Sequence, residues 1–333
     1  MVGANLVKRL LITGGTGFFG KALLRHFHAE AMLSTLHRPN DFNEIIVISR
    51  NPESFADRFP ELAHAYWLRW VRADLCRKQS LSSLLNGETV DSVLHAASDS
   101  TDAAGLSHLE KLDQIVEGTR NLLELSVRLQ ARRFLLTSSG GVYGPQPSEM
   151  LQISENYCGF PDPLKMSSSY GIGKRMAEHI SFVYGELYGI EIVIARCFAF
   201  VGLDLPLDAH FAIGNFIRDA LSREEITVAG DGSQVRSYMD QRDLSRWLTT
   251  MLKHGRPGHS YNLGSDKEIT IRDLAYLVRD TLAPLKRVKI AGVLESQNIR
   301  NRYIPSVEKA KLELQLGLNY SLEQSILSAV EGR

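Results

Sequence analysis

Cysteine is scarce in this chain: Cys76, Cys158 and Cys197 are the only three among 333 residues, far apart and odd in number. Without a C-x-x-C pair or an even set, neither a structural zinc nor a disulfide framework is expected. Three isolated thiols suit a reducing compartment. An excess of either charge is missing too, since 38 Lys and Arg balance 38 Asp and Glu. That removes the basic surplus of a nucleic-acid binder, while a few local Arg or Lys residues still suffice to hold an anionic substrate. Long apolar runs are absent; Ile192-Val193-Ile194-Ala195 is strand-sized, far short of a membrane span. Lys8 and Arg9 lead straight into a glycine motif with no small-residue cleavage site, so no signal peptide is read and a cytoplasmic location is expected. There are no internal repeats and no low-complexity tracts.

What is present is the balance of an ordinary soluble globular chain, long enough for one large α/β domain or a domain with a smaller partner. Strand-like runs at Leu10–Ile12, Glu44–Ser49, Leu68–Ala73, Ser92–His95, Phe134–Thr137 and Ile190–Ala195 alternate with helical stretches at Gly20–Phe27, Gly118–Gln130 and Tyr170–Tyr188. Leu122, Leu123, Leu125 and Leu129 supply the apolar side of the second helix. This alternation predicts a Rossmann-type, doubly wound parallel sheet over residues 1–197. After about Phe198 the rhythm changes. Helices are expected at 211–221, 240–252 and 271–281, a turn at 229–233 and a short strand ending at Gly264. Residues 198–333 therefore read as a smaller, mixed α/β lobe packed against the sheet.

The segment Thr13-Gly14-Gly15-Thr16-Gly17-Phe18-Phe19-Gly20 sets glycines at G-x-x-G-x-x-G spacing between a strand and a helix. Gly14 permits the tight turn, Gly17 lets backbone approach a diphosphate, and Gly20 allows close helix-on-strand packing. The helix start, with Phe18 and Phe19, offers unpaired N–H groups and a positive dipole end to phosphates. A glycine-rich turn alone is a weak signal, but a strand before and a helix after it is the context that marks a dinucleotide site. The second strand ends in Ser49-Arg50-Asn51, where an NAD-selecting fold places an acid for the ribose hydroxyls. Arg50 instead suits a 2′-phosphate, which favours NADP over NAD. Asp74 and Leu75 stand where the adenine end would lie, and Ala96 and Ala97 leave room for the cofactor. His95 beside them is read as structural.

Tyr170 and Lys174 lie at i and i+4 on one helical face. A phenol with a pKa near ~10 is a poor acid or base at neutral pH, and a nearby ammonium brings it toward the working range. Thr137-Ser138-Ser139 ends a strand, where a hydroxyl can bond the reacting oxygen. Together with the glycine loop, these residues propose Tyr170, Lys174 and a hydroxyl of that strand end as a catalytic set.

These motifs, with Ser138-Ser139-Gly140-Gly141-Val142-Tyr143-Gly144, resemble the extended short-chain dehydrogenase/reductases, nearest the nucleotide-sugar epimerase/dehydratase group. The likeness runs through Gly118–Glu124 and Gly230–Arg236 to Tyr261–Ser265. It implies that Ser139 binds the sugar oxygen, Tyr170 is the general acid/base, and Lys174 holds the nicotinamide ribose. It further implies that Arg236 grips the nucleotide diphosphate, for which a guanidinium fork is suited. Pairing of the helical regions 106–130 and 167–188 into a homodimer is also implied.

Two departures bear on the reaction. Dehydratases of the group carry Asp-Glu just after the hydroxyl residue, and decarboxylases keep a Glu there; this chain has Gly140-Gly141. The group's R-x-x-N reads Arg196-Cys197-Phe198-Ala199, so a substrate-contacting Asn is missing, and Asn215 is the candidate to replace it. A nucleotide-sugar oxidoreductase, either a 4-ketosugar reductase or a 4-epimerase, needs only the residues retained. A dehydratase with acid and base from elsewhere is the alternative within the family. A non-catalytic NADP-binding sensor is the alternative outside it, against which Tyr170 and Lys174 both stand.

Overall fold

The computed structural model describes residues 8–97, 105–209, 211–292 and 301–332. Its first part runs β1 (Arg9–Thr13), α1 (Phe18–Leu33), β2 (Glu44–Ser49), α2 (Pro52–Arg58), α3 (Pro60–Ala63), β3 (Leu68–Arg72), α4 (Lys78–Leu81), β4 (Ser92–His95), α5 (His108–Arg128), β5 (Arg133–Ser139), α6 (Ser169–Tyr188) and β6 (Glu191–Cys197). Then follow β7 (Phe200–Val201), α7 (Ala212–Ser222), β8 (Glu225–Val228), β9 (Val235–Arg236), β10 (Met239–Asp240), α8 (Gln241–His254) and β11 (His259–Leu263). The chain closes with β12 (Ile269–Thr270), α9 (Ile271–Leu282), β13 (Arg287–Ile290), β14 (Arg302–Tyr303), α10 (Glu308–Leu314) and α11 (Leu322–Ser328).

Seven parallel strands form the central sheet in the order β3-β2-β1-β4-β5-β6-β11. This is the doubly wound, Rossmann-type fold that the strand–helix alternation predicts. The central strands are apolar at successive positions because both their faces are covered. Leu10, Ile12, Ile45 and Val47 meet α1 and α8 through Phe27, Trp247 and Met251. Leu11, Ile46 and Ile48 face the other way, toward Leu122, Leu125, Ala177 and Ile180 of α5 and α6. The strand order reverses between β1 and β4, and the crevice at such a reversal is where open α/β sheets bind ligands.

A separate core of Ile213, Phe216, Ile217, Leu274 and Val278 holds α7 and α9 together beside the β8–β13 pair. With the three-stranded β12-β9-β14 sheet it makes up the smaller lobe. The chain beyond residue 197 is not confined to that lobe: α8 packs on α1, and β11 pairs with β6 at the edge of the large sheet.

Helix starts differ from the sequence expectation for identifiable reasons. Helix α5 begins at His108, ten residues before Gly118, because Ser107 and Glu110 form a reciprocal capping box. Helix α1 begins at Phe18, directly after Gly17, and not at Gly20. Short helices α2 and α3, each opened by a proline, fill the β2–β3 connection and have too few turns to show a period.

Candidate active site

At the reversal point β1 gives way to the glycine loop. Gly14 takes φ +76°, and a Cβ there would fall against the Ala96–Ala97 backbone, 2.7 Å from the Ala97 nitrogen. A Cβ on Gly20 would land on the backbone of Gly14 and Gly15, so this glycine lets α1 seat on the loop. Gly17 has only the Gly14 carbonyl near its absent Cβ, at 3.5 Å, and is otherwise open. No side chain caps the N-terminus of α1 and its first turn holds no acid, which leaves the N–H groups to an anion.

A cleft of about 500 Å³ opens here, lined by Gly14, Thr16, Gly17, Arg50, Asp74, Leu75, Ala96 and Ala97 among others. The cradle fits a dinucleotide diphosphate. Phe18, Phe19 and Gly20 do not line it: Phe19 packs edge-on against Phe200 at 5.2 Å, and Phe18 joins the apolar cores of both lobes. What these three offer the cleft is the backbone of the helix start. Arg50 is exposed at the rim and makes no hydrogen bond or ion pair among the described residues. Asp74 is tied locally, its Oδ1 accepting from the Cys76 N–H at 3.0 Å. Sequence reasoning missed Lys21, Ser54, Arg58 and Gln114, which also line the cleft. Lys21 was findable, one helical turn beyond Gly17 on α1.

His95 ends β4 and is structural. Its Nδ1 lies 2.7 Å from Thr13 Oγ1 and its Nε2 3.1 Å from Thr119 Oγ1. Thr119 spends its own hydrogen on the Ile115 carbonyl, so it accepts from Nε2–H and Nδ1 accepts from Thr13. Burial drops the imidazole to about 3, which keeps it neutral.

The three residues proposed for chemistry converge at the ends of β5 and α6. A Cβ on Gly141 would lie 3.3 Å from Ser139 Oγ and 4.0 Å from the Tyr170 ring, so the three residues adjoin. Lys174 Nζ stands 5.9 Å from the Tyr170 ring centre and donates to the Thr137 carbonyl at 2.8 Å. Burial, with Lys174 only 3% exposed, pulls its ammonium down to about 8. Beneath lies a fixed network: Glu178 accepts from Ser138 Oγ at 2.5 Å and takes a two-pronged contact from Arg196 at 3.0 and 2.8 Å. Arg196 also donates to Tyr143, whose hydroxyl donates to Asn262. This network locks helix α6 to β5, β6 and β11.

The smaller lobe brings β9 and β14 alongside, with Arg236 in register with Tyr303. Arg236 is half-buried, pairs with no carboxylate among the described residues, and donates to the carbonyls of Val235 and Asn301. Burial lowers its guanidinium from the ordinary value. Asn215 on α7 accepts from Arg218 at 3.1 Å. Among the described residues no group of three or more His, Cys, Asp or Glu is placed to hold a metal ion, and no helix is long and apolar enough to cross a membrane.

A model of the NAD-dependent epimerase/dehydratase family matches residues 10–264. The chain belongs to that family. It is 31% identical over 308 residues to UDP-glucuronic acid decarboxylase 1 of Danio rerio, covering 92% of this chain and 68% of that protein. UDP-glucuronic acid decarboxylase 6 of Arabidopsis thaliana is also 31% identical, with 91% and 82% covered. Among solved structures, DesIV, a dTDP-glucose 4,6-dehydratase from Streptomyces venezuelae with NAD and TYD bound, aligns with a TM-score of 0.78 at 26% identity, over 98% of both chains. The UDP-glucuronic acid 4-epimerase from Bacillus cereus in complex with NAD gives 0.77 at 22%, over 96% of this chain and 94% of that one, a likeness of fold.

Next to Ser139, Gly140 has no room for a side chain. A Cβ there would stand 2.6 Å from the Tyr303 hydroxyl and 2.7 Å from the Phe198 ring. The space next to Ser139 is therefore taken by aromatic residues of β14 and the β6–β7 link. Tyr303 has no motif to announce it in the sequence.

Proposed function

We propose that this protein is a nucleotide-sugar oxidoreductase that interconverts a secondary alcohol and a ketone on the hexose, by reducing a 4-ketosugar or by epimerising at C4. The observation that carries the reading is the Ser139–Tyr170–Lys174 cluster with glycines at 140 and 141. Elimination of water across C5–C6 needs an acid and a base beside the hydride steps, and decarboxylating relatives are expected to keep a carboxylate beside the hydroxyl residue. Here Tyr303 and Phe198 stand in that space.

Each residue then has a task. Ser139 bonds the reacting oxygen and Tyr170 passes it a proton, or takes one. The Lys174 ammonium, buried and anchored on the Thr137 carbonyl, stabilises negative charge on the phenol as the proton leaves. Gly14, Gly17 and the N-terminus of α1 hold the diphosphate of a dinucleotide, with Asp74, Leu75, Ala96 and Ala97 along its length; Tyr170 and Lys174 meet its nicotinamide end. When bound, the dinucleotide supplies or accepts the hydride. The relatives solved with NAD carry that cofactor, whereas the unpartnered Arg50 and the absence of an acid after β2 support NADP in this chain. Arg236, with no carboxylate partner among the described residues, suits the nucleotide diphosphate, and residues 198–333 supply most of the substrate side.

The test is incubation with a panel of nucleotide hexoses and nucleotide 4-ketosugars, with NADPH and NADH in parallel and products identified by mass spectrometry and NMR. Net reduction of a 4-ketosugar, or epimerisation without net cofactor change, is expected. Accumulation of a 4-keto-6-deoxy product from an intact nucleotide hexose, or of a pentose from a uronic acid, would overturn the reading.

A further inference from the structure

Two cations are sunk into the wall formed by β5, β6 and α6. Lys174 Nζ donates to the Thr137 carbonyl at 2.8 Å and makes no ion pair among the described residues. Arg196, in register with Ser138 across β5 and β6, holds both oxygens of buried Glu178, at 3.0 and 2.8 Å. Glu178 lies one helical turn beyond Lys174, so the two share a face of α6. Consecutive residues of β5 grip these consecutive turns. The Thr137 carbonyl takes Lys174, and the Ser138 hydroxyl donates to Glu178 at 2.5 Å. The remaining titratable groups beside Lys174 are neutral near pH 7. His95 of β4 sits at about 3, and burial pushes the Cys197 thiol of β6 up to about 12. Tyr170, one turn back, is a phenol, and α5 brings apolar Leu112 and Ile115 against this stretch of α6 at Gly173.

We propose that Glu178 is a positioning residue that serves as the counter-charge of Lys174: held by Arg196 and Ser138 one turn away, its carboxylate keeps the ammonium charged on the Thr137 carbonyl. The carboxylate is already engaged by three donors, so it attracts the ammonium without bonding it. Lys174 thus spends one N–H on Thr137 and none on an acid, which leaves donors for a ligand. A buried ion pair is often no more stabilising than an apolar pair of the same size, so a lock on α6 does not by itself account for the charges. Burial lowers the Lys174 value, and Cys197 and Glu178 oppose it. Of those two, only the carboxylate is charged near neutrality.

The test follows Lys174 itself. In protein labelled with isotopic lysine, its Cε resonance is titrated by NMR and assigned by its absence in Lys174→Met. Glu178→Gln keeps an acceptor for Ser138 and removes the charge, so the Lys174 midpoint should fall from about 8 by roughly one unit. Because this change strips Arg196 of its partner, Glu178→Leu with Arg196→Met removes both charges together and should show the same fall. A second arm rests on the oxidoreductase reading. With a nucleotide 4-ketosugar, kcat of Glu178→Gln should match wild type near pH 6 and lag about fivefold near pH 8. A purely structural role would lower kcat by one factor at every pH. An unchanged midpoint in either variant, or a loss of kcat independent of pH, would overturn the proposal. A wild type that turns over no nucleotide 4-ketosugar would count against the oxidoreductase reading, with the lysine titration still deciding the role of Glu178.

Discussion

On the proposed reading Tyr170 and Lys174 divide the chemical work, and substitutions should separate their shares. Tyr170→Phe keeps the ring and removes the ionisable proton, so kcat should fall by roughly 10²–10⁴-fold with dinucleotide affinity intact; near-normal turnover would remove this tyrosine from the mechanism. Lys174 carries a conflict between stability and function. Its folded value of about 8 lies below the unfolded 10.5, so between those pH values the unfolded chain holds more protons. Stability from this group rises with pH across that window, and the full cost of the buried ammonium is felt below pH 8. Lys174→Met should therefore melt a few degrees above wild type at pH 7, with the gain narrowing toward pH 10.5, while kcat drops. Calorimetry of the two proteins across pH 7–10.5 reads this directly; a Lys174→Met melting point below wild type at pH 7 would show that the Thr137 hydrogen bond outweighs the desolvation.

Elements set where the proposed ligands would lie. The end of β2 presents Arg50 to the cleft, so Arg50→Ala should weaken NADPH about tenfold and leave NADH unchanged, as measured by fluorescence titration. The end of β9 presents Arg236, and Arg236→Ala should weaken a free nucleoside diphosphate roughly tenfold in calorimetry without touching the dinucleotide. An unchanged affinity would detach either arginine from its assigned ligand. The elements that carry these sites were legible in the sequence for a physical reason. Strands β1, β2 and β5 are buried on both faces and so carry unbroken apolar runs at Leu10–Ile12, Ile45–Ile48 and Phe134–Leu136, and the glycine loop joins the first of them to a helix. The strands of the smaller lobe were not legible. Strands β9, β12 and β14 are two residues long, too short to show any alternation, and β9 and β14 meet only through the tertiary fold. Hence Arg236 came from its motif and Tyr303 escaped.

For the whole molecule, the outward face of α6 remains to be covered. Met176, Val183 and Leu187, at helical spacing, are exposed, and a groove of Phe160, Pro161, Ile172 and Met176 continues the same face. The homodimer expected through the α5 and α6 regions would bury it. The pair Val183→Glu and Leu187→Glu should convert a dimer to a folded monomer in analytical ultracentrifugation. A wild type that sediments as a monomer at micromolar concentration would remove this role from α6.

The placement of β11 has a consequence in time. Strand β6 pairs with β5 on one side and waits for β11 on the other. That partner is made roughly 60 residues later, which at about 5–20 residues per second leaves the growing chain several seconds with an open sheet edge. During that interval Ile192, Val193 and Ile194 present free backbone groups to any passing strand. The seven-stranded sheet is therefore completed only after α7, β8 to β10 and α8 have been made, and a chain stopped before His259 should emerge aggregated, with chaperone demand set by one late strand.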